Sequence, residues 1–279
     1  MIQAQHLEFG YRRSRPVLRD FGLAMAPGRI YGLLGKNGEG KTTFLKLVCG
    51  LRHGIRGGLQ VLGLDPAARP AALLREICLL PEEVPVQSVS AARFGQLRGP
   101  FYPRFSGDTY RRLLGELEVP ADQSLAELSH GQRKKAALAF VLATDCRLLL
   151  LDEPTNGLDI PSKSVFRRLV ANCVTRERCI VISTHQVRDV EDLIGSVAIV
   201  NGGAIVLQAS LADVGKRLAV SAEAADGSEL YAEDGAGGRR HLVRGETAAG
   251  SRVDLEFLFN ATIHNSAAVA AAIAGEARQ

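Results

Sequence analysis

Gly35-Lys36-Asn37-Gly38-Glu39-Gly40-Lys41-Thr42 fills the phosphate-loop pattern G-x-x-x-x-G-K-[ST] at every fixed position. Glycines let such a loop curl until its N–H groups point inward at a phosphate, and the helix that follows adds its positive N-terminal end. In this pattern Lys41 neutralises the β- and γ-phosphates of a nucleotide, and the Thr42 hydroxyl is a ligand for Mg²⁺. Gly35, Asn37, Gly38, Gly40 and Thr43 complete the candidate phosphate-binding set. Context separates the motif from a glycine-rich turn that happens to end in Lys-Thr. Arg29–Leu34 reads as a buried strand entering the loop, and Lys41–Val48 as a helix leaving it, with Gly50 as its stop.

Working outward, Cys146–Leu151 and Cys179–Ser183 are short, continuous apolar runs. Continuous rather than alternating hydrophobicity fits strands covered on both faces, as in a parallel sheet flanked by helices. The first run delivers two carboxylates, Asp152 and Glu153, at the strand end where ligands sit in open parallel sheets. Asp152 is placed to hold Mg²⁺ through water, and Glu153 to act as general base on an attacking water. Many strands end in an acid. Paired with the phosphate loop, this one gains its meaning. Ser196–Val200 and Ala204–Val206 flank an Asn201-Gly202-Gly203 turn and predict a hairpin at the sheet edge.

Residues 84–145 lack strand-like runs, and Ser90–Leu97, Gly107–Leu117 and Gln132–Leu142 carry helical spacing, which predicts a helical insertion in the core. From about Gly215 the texture changes. Ala219–Gly238 is rich in Ala, Gly and acids, with alternation at Glu229–Ala232 and a loop at Asp234–Gly238. The expected division is 1–215 for a nucleotide-binding domain and 216–279 for a small extension without evident chemistry.

Composition limits the alternatives. Of 279 residues 46% are hydrophobic and 23% charged, the balance a folded core needs. The net charge of +4 is spread along the chain rather than massed, and aromatics are sparse at 5%, so no nucleic-acid partner is expected. Cys49, Cys78, Cys146, Cys173 and Cys179 form no CxxC pair, which predicts reduced, mostly buried thiols. Met1–His6 has no basic region ahead of an apolar core, so no export signal is expected. No apolar run approaches the roughly 20 residues that span a bilayer, so any membrane role would be borrowed from a partner.

Leu128-Ser129-His130-Gly131-Gln132, followed by Arg133-Lys134-Lys135, resembles the LSGGQ signature of the ATP-binding cassette family, with His130 in place of the first glycine. Ser129 is also a sound N-cap for a helix starting near Gly131, a reading that needs no ligand. Three further matches keep the family's order. Asn156-Gly157-Leu158-Asp159 resembles its D-loop, His185 its switch histidine, and Tyr11 the aromatic that stacks on adenine, with core packing the plainer alternative for Tyr11. One position departs. Where the family has a glutamine after the strand corresponding to Glu76–Leu80, this chain has Glu82, with Gln87 five residues later. Glu82 is the preferred Mg²⁺-proximal residue on alignment; Gln87 on a longer loop is the other option.

The resemblance covers about residues 1–215. It implies an α/β P-loop fold with a mixed sheet, an N-terminal antiparallel β layer and a helical subdomain. It also implies an ATP-hydrolysing subunit using ATP and Mg²⁺. In that family Ser129, Gly131, Gln132 and Asp159 would face the nucleotide of a second protomer, a copy of the chain or a paralogous ATPase. His185 would reach the γ-phosphate. Phe101-Tyr102-Pro103-Arg104-Phe105 and Ser183-Thr184-His185-Gln186 resemble ATPases of small bacterial exporters whose permease is a separate polypeptide. The implied location is cytoplasmic, peripheral on the inner face of the membrane through that permease. The alternative is a soluble ATPase acting on a ribosome or DNA. Relatives of that kind carry two cassettes with a charged linker, or long coiled coils, and this chain has neither.

Overall fold

The computed structural model describes residues 1–12, 14–223, 229–235, 238–247 and 254–275. The chain opens with β1 (Ile2–Phe9), β2 (Leu18–Met25) and β3 (Arg29–Leu34), and the phosphate loop leads into α1 (Lys41–Val48). β4 (Arg56–Val61), the short α2 (Ala71–Leu74) and β5 (Ile77–Leu80) follow. Next come three helices, α3 (Ala91–Arg98), α4 (Gly107–Glu116) and α5 (His130–Ala143), in the predicted helical insertion. β6 (Leu148–Asp152), α6 (Ile160–Asn172), β7 (Cys179–Thr184), β8 (Ser196–Asn201) and β9 (Ala204–Ser210) complete the central sheet. Beyond it lie α7 (Leu211–Arg217), β10 (Leu218–Ser221), β11 (Glu229–Gly235), β12 (Gly238–Arg244), α8 (Leu255–His264) and α9 (Ser266–Ala274).

The central sheet has the order β5-β6-β7-β3-β8-β9, parallel except for β9, which closes an antiparallel hairpin with β8 at the edge. A separate antiparallel layer runs β2-β1-β4. The continuous hydrophobicity of β6 now has its reason. Leu148 and Leu150 pack on α1 and the antiparallel layer, while Leu149 and Leu151 pack on the helical side. All four are fully buried, each contributing about 1.5–3 kcal/mol of apolar burial. A strand with water on one face would have alternated. The strand starts two residues into the predicted Cys146–Leu151 run, and the Cys146 thiol before it meets the Arg75 carbonyl at 3.6 Å.

In the helical layer Phe140 of α5 is ringed by Phe94, Tyr102, Phe105 and Tyr110. Two aromatics of the 101–105 stretch, Tyr102 and Phe105, are therefore partly buried against the core. Arg104 between them makes a fork to Glu76, at 3.0 and 2.6 Å, which pins the insertion to the start of β5.

The change of texture near Gly215 falls inside α7. Beyond it β10-β12-β11 form a three-stranded antiparallel sheet on which α8 packs. Residues 236 and 237, in the predicted loop at Asp234–Gly238, lie outside the described residues, as do 224–228 within the Ala- and Gly-rich stretch. α9 lies against β9, and Leu230, Leu242, Phe257 and Val269 join the same apolar cluster as the central sheet. All five cysteines are free, with four buried. Among the described residues no single helix is long and apolar enough to cross a membrane.

Candidate active site

The phosphate loop leaves β3 and returns as α1. Gly40 sits at φ 95°, and a Cβ there would come within 2.6 Å of Leu18, so glycine is what lets the loop lie on β2. Glu39 accepts a hydrogen bond from the Gly203 amide at 3.1 Å, tying the loop to the β8–β9 turn. Lys41 folds back across the loop. Its Nζ donates to the Gly35 and Lys36 carbonyls at 2.6 and 3.1 Å and lies 3.9 Å from Glu153 Oε1. Burial pushes the Lys41 pKa down, against the opposing pull of Glu153, Asp152, Glu39 and Glu82. An ammonium held by carbonyls in a ring of carboxylates is a cation prepared for an anionic ligand.

Both carboxylates are buried at the C-terminal end of β6. Asp152 accepts from Ser183 Oγ at 2.9 Å. Burial raises its pKa, and hydrogen bonds from Thr42 and Ser183 pull it back, so Thr42 and Asp152 are neighbours as a shared cation would require. Glu153 occupies the left-handed region at φ 43°, a conformation that costs a non-glycine residue about 1 kcal/mol or more. Its side chain is held from three directions. Thr184 Oγ1 donates to Oε2 at 2.9 Å, the His185 amide to Oε1 at 3.1 Å, and His185 Nδ1 lies 2.7 Å from Oε1.

Tyr11 is 57% exposed, which disposes of core packing. Its hydroxyl reaches Thr43 Oγ1 at 3.2 Å, so the ring stands beside the start of α1, with Phe9 edge-on to it and the Arg52 guanidinium over the ring at 5.8 Å. Glu82 is exposed on the loop after β5, and its charge bears on both Lys41 and Lys134. Gln87 faces the other way, lining a small cavity with Val84, Phe94, Arg133 and Ala136 inside the helical layer.

Ser129 and Gln132 form a reciprocal capping box on α5, each bond 3.2 Å, so the Gln132 side chain is engaged with its own helix. A Cβ on Gly131 would sit 2.8 Å from the Gly157 carbonyl, and one on Gly157 would sit 2.8 Å from His130 Nδ1. The 128–132 and 156–159 segments are thus packed on one another within one chain. Asp159 caps α6 by accepting from the Ser162 amide at 3.0 Å, and hydrogen bonds from the Ser162 hydroxyl and then its amide lower the Asp159 pKa. Ile160 beside it is 82% exposed.

The family model for the ABC transporter matches residues 18–156, from β2 through the phosphate loop, the signature and both carboxylates. The chain carries an ABC transporter ATP-binding domain. It is 29% identical over 215 residues to the ABC transporter ATP-binding protein NatA of Bacillus subtilis, covering 70% of this chain and 82% of that one. It is 30% identical to YtrB of the same organism, covering 63% of this chain and 60% of YtrB. The Nod factor export ATP-binding protein I of Burkholderia orbicola is also 30% identical, covering 67% of this chain and 64% of that protein. The fold matches that of an ATP-binding subunit of an ABC transporter, with a TM-score of 0.69 at 24% identity over 77% of this chain and 91% of the other. It also matches the dimeric ATP-binding cassette MJ0796 bound to ADP and Pi, with a TM-score of 0.68 at 19% identity over 76% and 99%. ATP hydrolysis is the activity of this ABC domain.

Four residues of the ABC domain carry more than the motifs announce. Ser183 and Thr184 orient Asp152 and Glu153 from the neighbouring strand, and Glu39 anchors the loop. Lys134 is only 1% exposed although it lies in a run of three cations. Its place on the Leu138 and Val141 face of α5, at i+4 and i+7, was the available signal.

Proposed function

We propose that this chain binds MgATP at residues 35–43, closes on a second copy or a paralogous ATPase subunit, and by hydrolysis drives a separate membrane permease. One observation carries the reading: the Glu153 carboxylate, gripped by Thr184 and His185, stands 3.9 Å from the lysine of the phosphate loop. In this reading Lys41 exchanges its carbonyl partners for phosphate oxygens, and Glu153 accepts the proton of the attacking water. His185 holds Glu153 in place and reaches the γ-phosphate. Tyr11 would stack on adenine.

Thr42 and Asp152 would hold magnesium, as a hydroxyl and a carboxylate suited to a hard cation that takes its other oxygens from phosphate and water. Magnesium held by Thr42 and Asp152 would supply charge neutralisation to the nucleotide phosphates. No cluster of three His, Cys, Asp or Glu is poised for a metal among the described residues, which fits a cation shared with substrate.

The closure half of the reading draws support from the exposed face formed by Ser129, His130, Gly157 and Ile160. A capped helix N-terminus lies at that face, and a largely exposed Ile160 beside it suits a protein partner. Residues 1–215 would be the motor domain and 216–279 an extension bracing its sheet edge. The relatives' names, ATP-binding proteins of transporters and of an exporter, support a permease on another chain and a place on the inner membrane face. Affinity purification of the tagged chain from gently solubilised cells is expected to bring down a polytopic membrane protein; recovery of ribosomal or DNA-bound complexes instead would sink the transport reading.

Glu82 gives a sharper local test. Glu82→Ala is predicted to raise the Mg²⁺ concentration for half-maximal ATPase rate several-fold, with Glu82→Gln restoring most of the loss. Gln87→Ala, altered inside the helical layer, is expected to leave that titration unchanged. The reverse ranking would hand the role to Gln87.

A further inference from the structure

Lys134 Nζ donates to the carbonyl of Glu153 at 2.7 Å and to the carbonyl of Glu82 at 2.8 Å. Neither bond is to a carboxylate, although the charges of Glu82, Asp152 and Glu153 all bear on it. Burying an ammonium costs several kcal/mol, and two charge-assisted bonds at best offset that, so a leucine or methionine on this face of α5 would serve stability as well. The arrangement does something a leucine would not. It fixes a backbone.

Glu153 is the residue with the left-handed φ, and the bonds of its own peptide groups hold it there. Its N–H donates to the Ser183 carbonyl at 2.8 Å, and its C=O accepts from Lys134 and, at 3.3 Å, from the Asn156 amide. Rotating that carbonyl away would swing the carboxylate out of the grip of Thr184 and His185. Lys134 is also rigidly joined to the signature, five residues or about 7.5 Å along the helix axis from Ser129.

We infer that Lys134 is a positioning residue that ties the signature helix to the general base and to the Glu82 loop, so that contact of Ser129 and Gly131 with a partner's nucleotide sets the orientation of Glu153. The inference rests on the reading of Glu153 as general base. Through Lys134, one rigid helix carries the state of the dimer face to the backbone of Glu153 and to the loop after β5. Lys134 touches neither nucleotide nor water itself.

The test compares steady-state ATPase kinetics of the full chain with those of Lys134→Met, Lys134→Gln and Glu153→Gln. Lys134→Met, which keeps the stem and removes the donor, is expected to lose about tenfold in kcat with KM for MgATP within about twofold. Lys134→Gln, whose shorter amide can donate to the two carbonyls only at longer range, should recover to about two- to threefold below the unaltered kcat. A role in packing alone predicts no such split and no rescue by glutamine, and that outcome overturns the inference, as does an unaltered kcat in Lys134→Met. Should Lys134→Met fail to fold, Lys134→Gln decides: a two- to threefold lower kcat at unchanged KM supports the inference, and an unaltered kcat overturns it. Glu153→Gln separates the two levels. If it is inactive while Lys134→Met turns over normally, the inference falls alone; if it turns over normally, the reading beneath it falls.

Discussion

Glu153→Gln is predicted to bind MgATP with nearly the affinity of the unaltered chain and to hydrolyse it at least about 100-fold more slowly. That loss corresponds to about 2.7 kcal/mol of transition-state stabilisation. The size follows from what the substitution keeps and removes. Glutamine has the same shape, can still accept from Thr184 Oγ1, and leaves the Lys134 bond to the backbone carbonyl intact, so the site stays assembled. What it lacks is a basic oxygen able to take a proton from water, a contribution typically worth 10²–10⁴-fold. Phosphate-release rates against nucleotide concentration check it. Turnover within a few fold of the unaltered chain would remove Glu153 from its role.

Ser129→Arg is expected to abolish measurable hydrolysis while leaving nucleotide binding by a single chain within about threefold. Ser129 has no bond to the phosphate loop of its own chain; its hydroxyl accepts from the Gln132 amide, and it lies exposed at the start of α5. Loss of the cap would cost about 1 kcal/mol locally. The larger effect is at the dimer face, where a long cation would occupy the space a partner's nucleotide needs. Lys41→Ala supplies the contrast, because it deletes a charge beside the phosphates and should weaken binding by the single chain directly. Fluorescent-nucleotide titration of both variants at low protein concentration separates the two. Equal loss of single-chain binding in both would contradict the sandwich geometry.

Much of the fold and of the site is legible in the sequence, for physical reasons. The phosphate loop and the two acids are short, contiguous and bound to particular backbone shapes, so their pattern carries its own context. The parallel core showed itself because Leu148–Leu151 must satisfy two apolar faces at once. Side chains that converge from separate strands were harder. Nothing local in Cys179–Ser183 says that Ser183 will meet Asp152 or Thr184 meet Glu153; the parallel register of β6 and β7 decides that. Lys134 hid in a run of cations that reads as a solvated face, and only its register with Leu138 betrayed it. Asp159, expected from the resemblance to act across a dimer face, caps α6 within the chain, a helix whose apolar pattern is weak. The extension was the least readable part. α9 is nearly all alanine and apolar residues, with no polar face to give it a period, and β10 is set by long-range pairing with β12, Leu218 opposite Arg244.

The central claim is that two chains close around ATP and that hydrolysis reopens them. Analytical ultracentrifugation of Glu153→Gln, with and without MgATP, tests it most directly. The account predicts a monomer without nucleotide, a stable dimer with MgATP, and return to monomer when Ser129→Arg is added to the same chain. A Glu153→Gln protein that remains monomeric at saturating MgATP, or a dimer indifferent to both nucleotide and Ser129→Arg, would contradict it.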